Sequence, residues 1–154
     1  MKFITSEEIG APVADVWAVL SDIDGLEAEA RARGAGLKRL ERGASPAWKT
    51  EFRFRQRARE VELRIAQILT PELLAFDITG KAAEGSVRLE LLPLSPLHCR
   101  LTVTSEIRPR TLAARLFLQS LKLARSGMNR RYRDRVQQGA ALLTARAKAL
   151  QAAQ

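Results

Sequence analysis

The chain has 154 residues, 46% hydrophobic and 28% charged, a composition that excludes disorder. One domain of this length buries roughly 70% of the surface of its unfolded chain, and no run nears the ~20 apolar residues of a membrane span. The net charge of +9 lies in the C-terminal third, since residues 1–107 carry 15 Lys/Arg against 16 Asp/Glu while 108–154 carry 11 against Asp134 alone.

Lys2–Ile9 reads as a strand with Phe3, Thr5, Glu7 and Ile9 on one face. The segment around it, MKFITSEEIG, lacks the apolar stretch and cleavage site of a secretory signal, so a cytoplasmic protein is expected. Pro12 suits a helix start, and Val13, Val16, Trp17 and Leu20 recur at three and four residues, predicting a short helix over Pro12–Leu20. Ser21 or Asp22 caps a second helix reaching about Arg33, which Gly34 and Gly36 end.

From Leu37 the period becomes two. Trp48, Thr50, Phe52, Phe54 and Gln56 face one way, and Lys49, Glu51, Arg53, Arg55 and Arg57 the other. The next strands turn Val61, Leu63, Ile65, Gln67 and Leu69 inward, then Leu74, Phe76 and Ile78, then Val87, Leu89 and Leu91. Cys99, Leu101, Val103, Ser105 and Ile107 form the last inward face. Short connections make these strands antiparallel, with one wet face carrying both signs of charge.

Thr111 caps a terminal helix whose apolar stripe runs through Leu116 or Phe117, Leu121, Ala124, Met128, Tyr132, Val136, Ala140, Leu143, Ala147 and Leu150. Unbroken, its forty residues would span ~60 Å at ~1.5 Å each. A domain of this size is only ~40 Å across, so a break is expected, at Ser126-Gly127, before a main helix of Met128–Leu150.

The order of strand, two short helices, six-stranded meander and long helix resembles the helix-grip fold of the START-like (SRPBCC) superfamily, which includes polyketide cyclases. The residues carrying the resemblance are IGAPVADVWAVLSDID, the aromatic strand at 48–54, LTPELLAFDITG at 69–80, and the helix after EIRP. The resemblance implies an α+β fold, a seven-stranded antiparallel curved sheet around the C-terminal helix, with an apolar cavity between them for a lipid, quinone or polyketide-like ligand. The whole chain, 1–154, is read as one such domain. The cavity is expected to be lined by Trp48, Thr50, Phe52, Phe54, Ile65, Gln67, Phe76, Leu89, Val103, Phe117, Leu121, Met128 and Tyr132; each also reads as plain core.

The alternative of a polyketide cyclase- or dehydrase-like enzyme finds little machinery. Glu7 is the sole inward carboxylate, either a general base or an exposed strand end. His98 sits in a turn, and adjacent Cys99 points to the opposite face. One Cys and one His supply neither a disulfide nor a zinc shell, and no cofactor or metal is expected. A third reading is an electrostatic docking module. Arg125, Arg130, Arg131, Arg133 and Arg135 would meet an anionic membrane or an acidic protein; with Tyr132 as the one interleaved aromatic, nucleic acid is disfavoured. A monomer or weak dimer is expected.

Overall fold

A computed structural model describes residues 1–40, 45–54 and 57–153, and the side chains of all of these except 52–54. In chain order the elements are β1 (Lys2–Ile9), α1 (Val13–Leu20), α2 (Ile23–Ala32), β2 (Lys38–Leu40), β3 (Ala47–Phe54) and β4 (Arg57–Leu69). They continue with β5 (Leu73–Gly80), β6 (Ala83–Ser95), β7 (His98–Pro109), α3 (Leu112–Leu121) and α4 (Arg125–Ala152), a 3-10 turn at Lys122–Ala124 joining the last two. The strands form one antiparallel sheet in the order β1-β7-β6-β5-β4-β3-β2. It is a meander from β2 to β7, with β1 added beside β7.

The helix starts follow local chemistry. Pro12, with no N–H to lose, sits one residue before α1. The Asp22 carboxylate accepts the Gly25 N–H at 3.1 Å and the Thr111 hydroxyl accepts the Ala114 N–H at 3.1 Å, capping α2 and α3. Beyond α2, Gly34 takes φ +95°, a left-handed conformation that glycine adopts without steric cost.

The cross-strand register defines the inner face. Phe3 opposes Ser105, Ile9 opposes Cys99, Val103 opposes Leu89, Leu89 opposes Leu74, Phe76 opposes Ile65 and Leu63 opposes Trp48. Directly opposed residues share a face. Alternation alone misplaces part of β4. The register shifts between Ile65 and Gln67, leaving Ala66 unpaired. One extra residue reverses the parity that follows, so Gln67 and Leu69 turn outward and Ile68 takes the inner position opposite Leu74. Arg57 is a second correction: it opposes Phe54 across the hairpin and begins the inner parity of β4. The residues of that hairpin, Arg55 and Gln56, lie outside the described residues.

The core fills one half of the inner face. Ile9, Val16, Trp17, Leu20, Trp48, Ile65, Leu74, Leu91, Cys99 and Leu101 are buried there against Ala140, Leu143 and Ala147 of α4. Helix α1 begins three residues after β1 and packs on α4, closing this end. The terminal helical segment does break, but at the 3-10 turn, earlier than Ser126-Gly127, and α4 already begins at Arg125. The break also resolves the stripe. Phe117, Leu118 and Leu121 are half-buried, whereas Leu116, Ala124 and Leu150, expected on the stripe, are exposed.

Candidate functional site

Along the inner face burial falls from one end of the sheet to the other. At the α1 end Ile9, Leu74 and Cys99 are fully enclosed. Toward the far end Thr50, Val61, Phe76, Ile78, Val87, Leu89 and Ser105 share the same face yet are only half-buried, as are Met128, Tyr132 and Val136 on α4. The helix therefore closes on one half of the sheet and stands off the other. Two inner-face positions at the open rim are glycines, Gly80 opposite Val61 and Gly85 opposite Ile78. A Cβ at Gly85 would come within 2.5 Å of the Glu106 carbonyl oxygen, so the strands approach there only because the side chain is absent. At this rim lies a recess of about 450 Å³ between the β3–β4 and β5–β6 hairpins, lined by Glu51, Arg57, Arg59, Val61, Lys81 and Ala83 among others. A smaller one of about 170 Å³ separates β1 from the start of α4.

Tyr132 fastens α4 to the sheet beside the open half. Its hydroxyl donates to the Val103 carbonyl at 3.0 Å, and the Ser105 hydroxyl lies 3.0 Å from it. With the phenol proton on the carbonyl, Ser105 is the donor to the phenol oxygen. The ring rests 5.2 Å from that of Phe3. Burial raises the phenol's pKa and the Ser105 hydrogen bond opposes the rise, so Tyr132 remains a neutral donor at physiological pH.

Trp48 serves the closed half. Only 4% exposed, it donates its indole N–H to the Glu27 carboxylate at 2.9 Å. Glu27, the buried acid of α2, also meets Arg31 at 2.5 Å and Arg39 at 3.2 Å. Arg39 is paired with Asp24 at 2.7 Å as well, and its guanidinium lies over the Trp48 ring at 5.9 Å. Two residues along α2, and so on its opposite side, Glu29 pairs with Arg33 and with Arg146 of α4. These contacts, chiefly the Arg33 hydrogen bond, hold the Glu29 carboxyl below its ordinary pKa. Helix α2 is thus riveted by two glutamates to the sheet on one side and to α4 on the other. Sequence reasoning did not find Glu27. Its signal was indirect: a buried tryptophan requires a partner for its N–H.

The remaining sequence-derived candidates divide between these halves. Ile65 and Val103 are buried in the core, while Thr50, Phe76, Leu89, Met128 and Tyr132 border the open half. Phe117 and Leu121 are half-buried on α3, and Gln67 is exposed on the outer face. Register pairs Phe52 with Arg59 and Phe54 with Arg57, their side chains lying outside those described. Glu7 opposes Leu101 on the inner face, half-buried, and its carboxylate has no hydrogen-bond or ion-pair partner among the described residues. His98, exposed, is the first residue of β7 and pairs across the β6–β7 turn with Ser95, whose hydroxyl lies 3.3 Å from its Nδ1. Cys99 is buried, and burial raises its thiol pKa. Of the arginines, Arg125 donates to the Lys2 carbonyl at 3.1 Å and braces α4 on β1. Arg130, Arg131, Arg133 and Arg135 are exposed. Among the described residues no group of three or more His, Cys, Asp or Glu is arranged to hold a metal ion, and no helix is long and apolar enough to cross a membrane.

A family described as polyketide cyclase / dehydrase and lipid transport matches residues 1–144. The chain belongs to this family. No protein of curated function matches it significantly by sequence. Among solved structures, the Zhui aromatase/cyclase of a Streptomyces species is 16% identical with a TM-score of 0.62, covering 96% of this chain and 93% of that one. Norcoclaurine synthase from Thalictrum flavum, in complex with dopamine and hydroxybenzaldehyde, is 12% identical with a TM-score of 0.67, covering 100% of this chain and 88% of that one. A protein of Thermus thermophilus is 18% identical with a TM-score of 0.61, covering 97% and 99%. At these identities the likeness is one of fold: this member of the polyketide cyclase / dehydrase family has the START-like helix-grip architecture.

Proposed function

We propose that the protein binds a small lipophilic molecule between the open half of the sheet and α4, entered from the rim at the β3–β4 and β5–β6 hairpins. The observation that carries this reading is the unsealed apolar face: Val61, Phe76, Ile78, Val87 and Leu89 point toward the helix and remain half-accessible. Leaving apolar surface in water is unfavourable by roughly 25 cal/mol per Å², so each ~100 Å² that a ligand covers contributes about 2.5 kcal/mol toward binding. The recess of about 450 Å³ at the rim falls within the range usual for small-molecule sites. The aromatic molecules in the norcoclaurine synthase complex are of a size suited to such a space.

The test is uptake of the dye Nile red, whose emission rises in apolar surroundings. The parent protein should bind it saturably, and Leu89→Trp, which fills the open half, should weaken binding at least ~10-fold with the circular dichroism spectrum unchanged. Equal binding by the Leu89 variant would place the dye elsewhere and reject the reading.

A cyclase- or dehydrase-like reaction is the second reading, supported by Glu7. A half-buried, unpartnered carboxylate on the inner face is the kind of group that a proton-abstracting base requires. Turnover of a linear poly-β-ketone should then be lost in Glu7→Gln while Nile red still binds; unchanged turnover removes Glu7 from any catalytic role.

A further inference from the structure

Helix α3 buries none of its residues fully. Its half-buried side chains, Ala114, Phe117, Leu118 and Leu121, form one face toward the body. At 3.6 residues per turn the opposite face carries Leu112 and Leu116, and Leu123 follows within the 3-10 turn. These leucines are 71%, 58% and 95% exposed, more than solubility or core packing explains. Arg115 and Lys122, seven residues apart, flank the stripe along one side. Neither side chain has a hydrogen-bond or ion-pair partner among the described residues, and the same holds for the side chains of Arg130, Arg131, Arg133 and Arg135 at the start of α4.

We propose that α3 and the first turns of α4 form a docking face for an anionic lipid bilayer, with Leu112, Leu116 and Leu123 entering the interface and Arg115 and Lys122 meeting the headgroups. Both halves of the pattern are needed. Unpaired cations call for a negatively charged partner, and an apolar stripe between them gains only from a partner with an apolar interior beneath its charge. A second copy of the chain would bring the same arginines face to face. Three leucines on one short helix also fall far short of the ~800 Å² that each partner of a stable protein complex buries. Phosphates of a nucleic acid would leave the leucines in water.

The position of this face suggests its use. The Arg110 backbone N–H, just before α3, donates to the Ala82 carbonyl at 2.8 Å, and the Arg110 guanidinium donates to the Gly80 carbonyl at 3.0 Å. Helix α3 is thereby tied to the β5–β6 turn that borders the rim recess, where Arg57, Arg59 and Lys81 face the carboxylates of Glu51 and Glu60. Docking would bring the rim to the membrane surface, so that a lipophilic ligand could pass without crossing water. That last step rests on the proposed groove; the docking itself does not.

Vesicles of phosphatidylcholine, alone or mixed with phosphatidylserine, separate the possibilities in a co-sedimentation assay. The protein should bind the mixed vesicles, ignore pure phosphatidylcholine and release in high salt. Arg115→Gln with Lys122→Gln should weaken binding about 30-fold, at about 1 kcal/mol for each basic residue near the surface. Leu116→Ser with Leu123→Ser should weaken it by at least ~10-fold, at ~25 cal/mol per Å² of apolar surface no longer buried, and leave the salt dependence in place. Circular dichroism and Nile red uptake should be unchanged in both variants. Binding that does not distinguish the two vesicle types, leucine variants that bind like the parent, a dimer dispersed by the leucine substitutions, or tighter binding to RNA than to vesicles would each overturn the docking face. Vesicle binding without dye uptake would instead uphold it and sink the groove.

Discussion

Replacing Glu27 tests whether α2 is held to the sheet as described. Its carboxylate is 8% exposed and takes the Trp48 indole N–H at 2.9 Å together with Arg31 and Arg39. Both arginines are more than two-fifths exposed, and Arg39 keeps Asp24, so water and that neighbour compensate much of their loss. Trp48, 4% exposed, has no such recourse. An unsatisfied buried donor costs about 1–3 kcal/mol, and a hydrogen bond to a charged group contributes about 1.5–3. Glu27→Leu should therefore destabilise the protein by about 2–3 kcal/mol, which for a domain of this size lowers Tm by about 4–12 °C. Trp48→Phe removes the same hydrogen bond together with part of the ring. In a double-mutant cycle followed by urea denaturation, the two losses should be sub-additive by about 1.5 kcal/mol or more. Additive losses would show that the indole–carboxylate bond carries no stability, and the account of α2 as a rivet would fail.

Two further outcomes follow from the same geometry. Glu29 has its pKa lowered by Arg33 and Arg146. A depressed carboxyl stabilises the fold above its unfolded-state pKa, and that contribution is lost as pH falls through the folded value, below the ordinary 4.5. Urea midpoints measured down through this acid range should fall less steeply for Glu29→Gln than for the parent, and parallel curves would discount the pair. Cys99 is fully enclosed, and burial holds its thiol in the protonated form. It should resist an aromatic disulfide reagent in the native protein and react at once in urea; rapid labelling of the native state would mean that the closed half opens.

The sheet was legible because period-two alternation persists through β3, the first part of β4, and β5 to β7, and because Asp22 and Thr111 carry their capping chemistry in their residue types. The bulge at Ala66 was not legible. A single inserted residue leaves apolar residues on both parities, Leu69 on one and Ile68 on the other, and only the partner strand decides between them. The α3 stripe stayed open for a related reason. Periodicity on a helix expected to break only at Ser126-Gly127 leaves Leu116 and Phe117 as alternatives, whereas the earlier break at Lys122–Ala124 turns Phe117 toward the body and leaves Leu116 in water. Glu27 was hidden because a glutamate on an amphipathic helix reads as solvent-facing until the tryptophan it serves is brought across from β3. The open half of the inner face has no sequence signature, since Leu74 and Leu89 occupy opposed inner positions and differ only in how near the helix comes.

The division of that face into a sealed half and an open half is the claim on which the functional account turns. Methyl NMR spectra recorded while titrating with naphthol, a small aromatic probe, test it most directly. Shifts should concentrate at Val61, Ile78, Val87 and Leu89 and saturate together, while Ile9, Leu74 and Leu101 hold still. Shifts confined to the exposed leucines of α3, or spread evenly over both halves of the sheet, would contradict the account.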